Sequence, residues 1–359
     1  MRLSIGIVGL PNVGKSTLFN ALTRADILAA NYPFATIEPN TGIVPVPDER
    51  LDRLQELYKS EKILPATVTF VDIAGLVAGA SKGEGLGNKF LDNIRKTDAI
   101  VHVVRAFEND DILRHDEAPV DPKADIDIIN TELILADIQT VEKHLPKVQK
   151  EAKANPARRD VATYLESLLR HLNEGTPLSA LPSLDEEKLS GLQLLTAKPV
   201  IYAFNVDEND LTSASRQQEL ASLVAPATSL FVCAKLEEEI KDLSTVEAIE
   251  LLESYGVSET GLQRLIHTAY DTLGLQSYLT AGHKEVRAWT IHQGFTAPQA
   301  AGVIHTDFER GFIAAQIVDY DDLMAAGSES AAKAAGKVRT EGKTYVMQPG
   351  DVVEFRFNV

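Results

Sequence analysis

The sequence has few or none of several features, and each absence excludes a class of protein. Its 359 residues include one cysteine, Cys233, so no intramolecular disulfide can form and we expect a reducing compartment. No stretch approaches about 18 continuous apolar residues, and we therefore expect no membrane-spanning helix. Internal repeats and low-complexity tails are missing too. The N-terminus passes straight into a strand pattern, so we expect no leader peptide and a cytoplasmic protein.

Positive charge is also scarce. The chain has 35 Lys and Arg against 52 Asp and Glu, a net charge of −17, which nucleic-acid phosphates and anionic membranes repel. Contact with RNA would therefore need a local basic patch. Residues 143–159 supply one, with a single acid, Glu151, among six basic side chains: Lys143, Lys147, Lys150, Lys153, Arg158 and Arg159. Two interpretations stay open, a solvated helix face and an RNA-contacting tip.

Short apolar runs alternate with helical periodicity in the first hundred residues, and a helix is predicted at 16–25. This alternation is typical of an α/β domain whose parallel sheet has helices on both faces. The pattern stops over residues 107–198 and then resumes, so we predict a helical insertion there. The predicted strands are 3–8, 66–71, 99–104, 199–205 and 229–233.

The predicted insertion carries a coiled-coil pattern. Apolar residues recur with a period of about 3.5 residues in two runs. Asn155 and Pro156 separate the runs, which predicts an antiparallel hairpin, and Pro146 predicts a kink in its first helix. The alternative is a short helical bundle packed on the main domain. The two apolar runs are Ile134, Ile138, Val141, Leu145 and Val148, and Val161, Leu165, Leu168 and Leu172.

A small α+β module is predicted at the C-terminus, residues 277–359. Two strand-like segments, 286–291 and 352–359, enclose a short helix and an Ala-rich stretch. The predicted organisation is therefore one α/β domain made of residues 1–106 and 199–276. The insertion at 107–198 separates its two parts, and the module follows it in the chain.

Residues 9–16, Gly-Leu-Pro-Asn-Val-Gly-Lys-Ser, match the phosphate-binding loop pattern between a predicted strand and a predicted helix. Backbone N–H groups at the start of the helix point at the phosphates, and Lys15 adds a positive charge, which makes it a catalytic candidate. Ser16, Asp72 at the end of a strand, and Thr36 in the loop after the first helix offer hard oxygen ligands, so we predict Mg²⁺ as cofactor.

Three segments carry a family resemblance: GLPNVGKST (9–17), NYPFATIEPN (31–40) and DIAGL (72–76). They resemble the Obg-related branch of translation-factor GTPases and, within it, the YchF/EngD family of Obg-like ATPases. The resemblance covers the whole chain and implies a split P-loop domain, a coiled-coil insertion and a C-terminal β-grasp module of the TGS type. It also implies a cytoplasmic NTPase that associates with ribosomes, chiefly the large subunit. We expect a monomer that acts as a regulatory switch in translation or stress response. The nucleotide-binding loop residues carried over are Asn12, Val13, Gly14, Lys15, Ser16 and Thr17.

The base-reading segment departs from the GTPase pattern Asn-Lys-x-Asp. Here it reads Asn205-Val206-Asp207-Glu208, with valine for the lysine that packs across the base and glutamate at the reading position. A displaced carboxylate loses its paired hydrogen bonds to guanine, so we predict that ATP is preferred over GTP. Asn205 and the Val206 backbone are expected to contact adenine, with Asp207 as a shifted reader in the alternative interpretation.

The family resemblance places Cys233 and Ala234 where a Ser-Ala-Lys-like loop closes the base pocket. Leu76 stands where many P-loop enzymes orient the attacking water with glutamine, so we expect slow intrinsic turnover. His115 is the candidate catalytic substitute, the alternative being a solvated loop histidine. Asn12 makes K⁺ a second candidate cofactor. A nucleotide-binding scaffold with incidental hydrolysis is the alternative function.

Overall fold

The computed structural model describes residues 3–24, 40–73, 86–108, 119–240 and 243–358. Twelve strands occur in these ranges: β1 (Ser4–Val8), β2 (Thr41–Pro45), β3 (Ile63–Leu64), β4 (Thr67–Asp72), β5 (Ala99–Arg105), β6 (Val200–Asn205), β7 (Thr228–Val232), β8 (Leu275–Ala281), β9 (Val286–His292), β10 (Phe312–Asp319), β11 (Arg339–Glu341) and β12 (Asp351–Phe357).

The same ranges contain thirteen α-helices: α1 (Lys15–Arg24), α2 (Glu49–Tyr58), α3 (Leu86–Arg95), α4 (Pro122–Ala154), α5 (Ala157–Asn173), α6 (Ala214–Ser222), α7 (Ala234–Ile240), α8 (Thr245–Ser254), α9 (Gly261–Thr272), α10 (Ala297–Ile304), α11 (Thr306–Arg310), α12 (Tyr320–Ala326) and α13 (Glu329–Ala334). Within the part of the chain that is described, no helix combines the length and the apolar composition that crossing a membrane requires.

The first sheet has six strands in the order β2-β4-β1-β5-β6-β7, and β4, β1, β5, β6 and β7 run parallel to one another. All seven residues of β5 are buried, because helices cover a central parallel strand on both faces. The predicted α/β class and the five predicted strands are confirmed. Since parallel strands end at one edge of the sheet, the residues that follow β1, β4, β6 and β7 meet there.

The insertion is a helical hairpin of α4 and α5. Asp121 caps α4 by accepting a hydrogen bond from the Ala124 N–H, and Pro122 begins the helix where its missing N–H costs nothing. The helix continues through Pro146 and ends at Ala154, and its C-cap is Asn155, where the predicted break lies. The predicted apolar runs form a shared core whose buried members are Ile134, Val141, Val148, Leu165, Leu168 and Leu172.

Two compact units are seen, one of residues up to 43 and 69–265, the other of 44–68 and 266 onward. The sequence analysis placed 44–68 in the P-loop domain, whereas in the structure this segment packs with the C-terminal residues. The reason is pairing: β3 runs parallel to β9, and the Ser60 hydroxyl donates to the Gly282 carbonyl at 2.6 Å. A two-residue strand gives too short a pattern to be recognised in the sequence. The other predicted boundaries stay predictions.

The second unit contains the mixed sheet β11-β10-β12-β8-β9-β3. Its central strands β12 and β8 are parallel, while β8 and β9 form an antiparallel hairpin and β10 pairs antiparallel with β12. Helix α10 contributes Ala297, Ala300 and Ala301 to the core, together with the fully buried ring of Tyr278. The predicted α+β module is present, and its strands at β9 and β12 are confirmed.

Candidate nucleotide-binding site

The phosphate-binding loop lies between β1 and α1, as predicted. Asn12 and Gly14 have left-handed backbone conformations, with φ of 64° and 94°. At Gly14 the glycine is needed twice over, because a Cβ there would also overlap the amide nitrogen of Asn205. Lys15 is the first residue of α1 and is buried, so its ammonium is held at the helix start where phosphates bind.

Lys15 pairs with Asp72 at this phosphate end. Strand β4 lies beside β1 with Asp72 opposite Ile7, and the Lys15 ammonium contacts the Asp72 carboxylate. Ser16, in the first turn of α1, is exposed, and the Thr17 side chain lines the adjoining cavity. A hydroxyl and a carboxylate are the hard oxygen donors that Mg²⁺ takes, so Ser16 and Asp72 suit that ion by their chemistry.

Asn205 connects the phosphate loop to the base pocket. Its amide nitrogen donates to the Val13 carbonyl at 3.0 Å, and its amide oxygen accepts from the Ala234 N–H at 3.0 Å. The side chain is buried, and β6 positions it. Each end of the amide makes one bond to protein backbone, and a side-chain amide has a second N–H and a second lone pair, so the contact of Asn205 with adenine stays a prediction. Asn205 is a positioning residue that fixes two loops relative to each other.

A cavity of about 600 Å³ adjoins the phosphate loop on the side of β6 and β7. Its rim is acidic, since four carboxylates line it: Asp207, Glu208, Glu238 and Glu239. Val206 also lines it but is buried, and its N–H donates to the Val232 carbonyl at 2.8 Å. Strand β7 therefore uses the Val206 N–H, and the contact of the Val206 backbone with adenine stays a prediction.

Glu208 is held by Lys235, which comes from the start of α7. The two side chains form an ion pair with 2.6 Å between Nζ and Oε1, and the Lys235 ammonium lowers the pKa of the Glu208 carboxyl. Neighbouring Asp207 behaves in the opposite way, because burial raises the pKa of its carboxyl. Cys233 lines the cavity but is buried, and burial raises the pKa of its thiol, which keeps it protonated.

Sequence reasoning missed one buried acid near this pocket, Glu237. It lies on α7 directly after the base loop, and its carboxylate accepts from the Leu262 N–H at 3.2 Å at the start of α9. Burial raises the pKa of Glu237 to about 7. A Cβ on the neighbouring Gly261 would crowd Val232. Nothing in the local sequence signals this contact, because its partners are 24 or more residues away and donate through their backbone.

Several predicted site residues lie outside the described residues: Thr36, His115 and Leu76. The basic residues predicted on the insertion are described. All six are exposed around the connection between α4 and α5, and Arg158 pairs with Glu151 at 3.1 Å. The tip of the hairpin therefore presents a surface of positive charge on an acidic protein.

Comparisons with known proteins agree with this architecture. Residues 4–151 match the family model MMR_HSR1, described as "50S ribosome-binding GTPase". Residues 275–358 match YchF-GTPase_C, described as "Protein of unknown function (DUF933)". The first match includes β1, β2, β4 and β5 of the first sheet and most of α4, and the second includes β8 to β12 of the mixed sheet.

Similarity to individual relatives extends over the full chain. "Ribosome-binding ATPase YchF" of Haemophilus influenzae is 53% identical over 365 residues, covering 100% of both chains. The protein of the same name from Bacillus subtilis is 51% identical over 367 residues, again with 100% coverage of both. The solved structure of the Schizosaccharomyces pombe YchF GTPase is 42% identical with a TM-score of 0.88, covering 99% of this chain and 98% of that one. The chain therefore belongs to the YchF family and is a P-loop enzyme that hydrolyses nucleoside triphosphates.

Proposed function

We propose that the protein is a Mg²⁺-dependent ATPase that prefers ATP over GTP and associates with the large ribosomal subunit as a regulatory switch. The observation that carries the nucleotide part is the base cavity, where the residue at the base-reading position, Glu208, is already paired with Lys235. Its relatives are named as ribosome-binding ATPases, and the family matched by residues 4–151 is described as binding the 50S subunit. Acting on ribosomes would place the protein in the cytoplasm.

The preference for ATP follows from what the pocket offers to each base. Guanine presents two adjacent donors, its ring N–H and its exocyclic amine, and a carboxylate reads them only with both oxygens in line. Glu208 has one more methylene than the aspartate of the GTPase pattern, and Val206 cannot pack across the base as a lysine would. Recognition that depends on paired hydrogen bonds falls sharply when their geometry is lost. Adenine makes no such demand on that carboxylate.

Ser16, Asp72 and Thr36 are the residues that would hold Mg²⁺. When bound, the ion would neutralise charge on the outer phosphates. Lys15 binds the same phosphates from the helix start, and its contact with Asp72 keeps both side chains at the phosphate end. K⁺ beside Asn12 is a further proposed cofactor, tested by comparing turnover in K⁺ with turnover in Na⁺.

Hydrolysis needs a group that orients water, and Leu76 has no hydrogen-bonding side chain. We assign that role to His115, from its sequence position at the entrance to the insertion. Groups of this kind contribute about 10²- to 10⁴-fold to rate, so His115→Ala should lower turnover by a factor in that range and leave ATP affinity unchanged. Unaltered turnover in His115→Ala would assign the role elsewhere.

The exposed basic tip of the α4–α5 hairpin is the proposed contact with ribosomal RNA. Its attraction acts only locally, because the Debye length is about 8 Å at physiological salt. Lys147→Glu with Lys150→Glu should weaken co-sedimentation with ribosomes and reduce its salt dependence, by a slope of about 0.7 to 0.9 for each phosphate that the variant no longer neutralises. The matched control, arginine at both positions, keeps the charge and should keep binding.

One experiment tests the proposal as a whole: calorimetric affinities for ATP and GTP, measured beside co-sedimentation with purified ribosomal subunits. Tighter binding of ATP and sedimentation with the large subunit are expected. A clear preference for GTP contradicts the nucleotide assignment, and no sedimentation contradicts the partner. Steady-state turnover with and without ribosomes then separates the switch from a nucleotide-binding scaffold, since only the switch predicts stimulation.

A further inference from the structure

The base cavity is lined by more negative charge than a purine pocket needs. Four carboxylates surround it, and among its described lining residues the cationic side chain is that of Lys235. Lys235 is the second residue of α7, next to Ala234, whose N–H donates to the Asn205 side chain. The backbone of Lys235 is therefore fixed by its neighbour, and its side chain extends to Glu208 in the cavity wall.

The pair is asymmetric in exposure. The Glu208 side chain is 19% exposed and the Lys235 side chain 71%, with 2.6 Å between Nζ and Oε1. The carboxylate thus sits in the pocket wall while the ammonium covers it from the solvent side. Glu208 is ionised at neutral pH, yet one of its oxygens already accepts a charge-assisted hydrogen bond.

This contact bears directly on which base fits. Guanine would need both oxygens of Glu208 for its ring N–H and its amine, and the Lys235 ammonium competes for one of them. Adenine carries a ring acceptor at the corresponding edge, which an uncovered carboxylate would repel. We propose that Lys235 is a specificity-determining residue, whose ion pair with Glu208 disfavours guanine and makes the pocket compatible with adenine. This inference rests on the ATP preference proposed above.

The test is the ratio of the GTP and ATP dissociation constants, measured by calorimetry with Mg²⁺ on the full-length protein. Lys235→Met keeps most of the side-chain length and removes the charge. It should lower the ratio Kd(GTP)/Kd(ATP) about five- to tenfold. Without the Lys235 ammonium, both oxygens of the Glu208 carboxylate are available to guanine, and the carboxylate repels the ring acceptor of adenine. Lys235→Arg keeps the charge and should keep the ratio of the parent.

A double variant shows whether Lys235 acts through Glu208. In a Glu208→Gln background there is no carboxylate to cover, so adding Lys235→Met should leave the ratio unchanged. An unchanged ratio in Lys235→Met alone overturns the inference, and so does an equal shift in the Glu208→Gln background. Lys235→Gln serves as a second charge-removing variant should Lys235→Met fail to fold. A parent that prefers GTP contradicts the proposed function by itself, whereas the change in ratio between variants is read separately.

Discussion

The phosphate end and the base end of the nucleotide site are built in different ways. At the phosphate end, consecutive residues 9–17 supply the loop, the lysine and the hydroxyl, and one distant partner, Asp72, joins them from the neighbouring strand. At the base end, residues 205–208 and 233–239 approach from two different strand ends. Asn205 fastens the two ends together.

The two ends should therefore respond differently to substitution. The phosphate end depends on one charge and on local backbone geometry, so a single substitution in the loop removes its function. The base end depends on contacts between segments, so its function is spread over side chains that hold one another. Substitutions at the two ends should therefore differ in size, in nucleotide selectivity and in pH dependence.

Loss of the Lys15 ammonium should have the largest effect. Lys15→Ala is expected to weaken the binding of ATP and of GTP alike by about 10³-fold, close to 4 kcal/mol. The reason is that the nucleotide phosphates lose the buried ammonium that pairs with them. Calorimetry against both nucleotides measures it, with Lys343→Ala on the second unit as an exposed control. Full affinity in Lys15→Ala would mean that the nucleotide binds elsewhere.

At the base end, Glu237 should give a pH-dependent effect on stability. The Glu237 pKa of about 7 lies above the unfolded value of 4.5, so its stabilising contribution is complete below pH 4.5 and is lost as pH rises to 7. Glu237→Gln cannot ionise and keeps an acceptor for the Leu262 N–H. Between pH 5 and pH 8 its unfolding free energy should gain up to about 3 kcal/mol relative to the parent.

Denaturant unfolding at the two pH values measures this difference, and exposed Glu253→Gln is the control that should show none. Parallel pH profiles for Glu237→Gln and the parent would mean that the buried carboxyl does not titrate in this range.

Breaking the connection between the two ends should weaken both nucleotides equally. Asn205→Ala leaves the Val13 carbonyl and the Ala234 N–H without their partner, at a cost of about 2 kcal/mol or roughly 30-fold in affinity. Because the two observed bonds of Asn205 are to loop backbone, their loss should affect both nucleotides alike, and the ratio of ATP to GTP affinity should stay constant. Exposed Asn173→Ala is the control. A selective loss of ATP would instead make Asn205 a base contact.

The smallest effect is expected at the proposed metal ligand. Ser16→Ala should raise the Mg²⁺ concentration needed for half-maximal ATP binding about tenfold, the lower end of what loss of a supporting group around a metal costs. Ser16→Thr retains the hydroxyl and should behave like the parent. A magnesium titration followed by nucleotide fluorescence distinguishes them, and an unchanged midpoint in Ser16→Ala would remove Ser16 from the ligand set.

Much of the first sheet was predictable because its strands are buried on both faces. Strands β5 and β6 are mostly apolar in sequence, and the P-loop is a contiguous pattern. Strands β2 and β3 were not predicted, since β2 has a glycine and a proline among its five residues and β3 has only two residues. In the second unit, β8, β10 and β11 were missed as well. Their assignment depends on partners distant in the chain, which local periodicity does not reveal.

The amino-acid sequence by itself determined the phosphate loop, the parallel strands and the apolar seam of the hairpin, because each is a pattern of neighbouring residues with a fixed spacing. Only the tertiary structure decided what the base-reading segment does. The sequence shows Asn205 and Glu208 but not that one bonds two loops and the other pairs with Lys235. Those contacts join residues 27 to 192 positions apart, and they form only when the ends of parallel strands converge at one edge of the sheet.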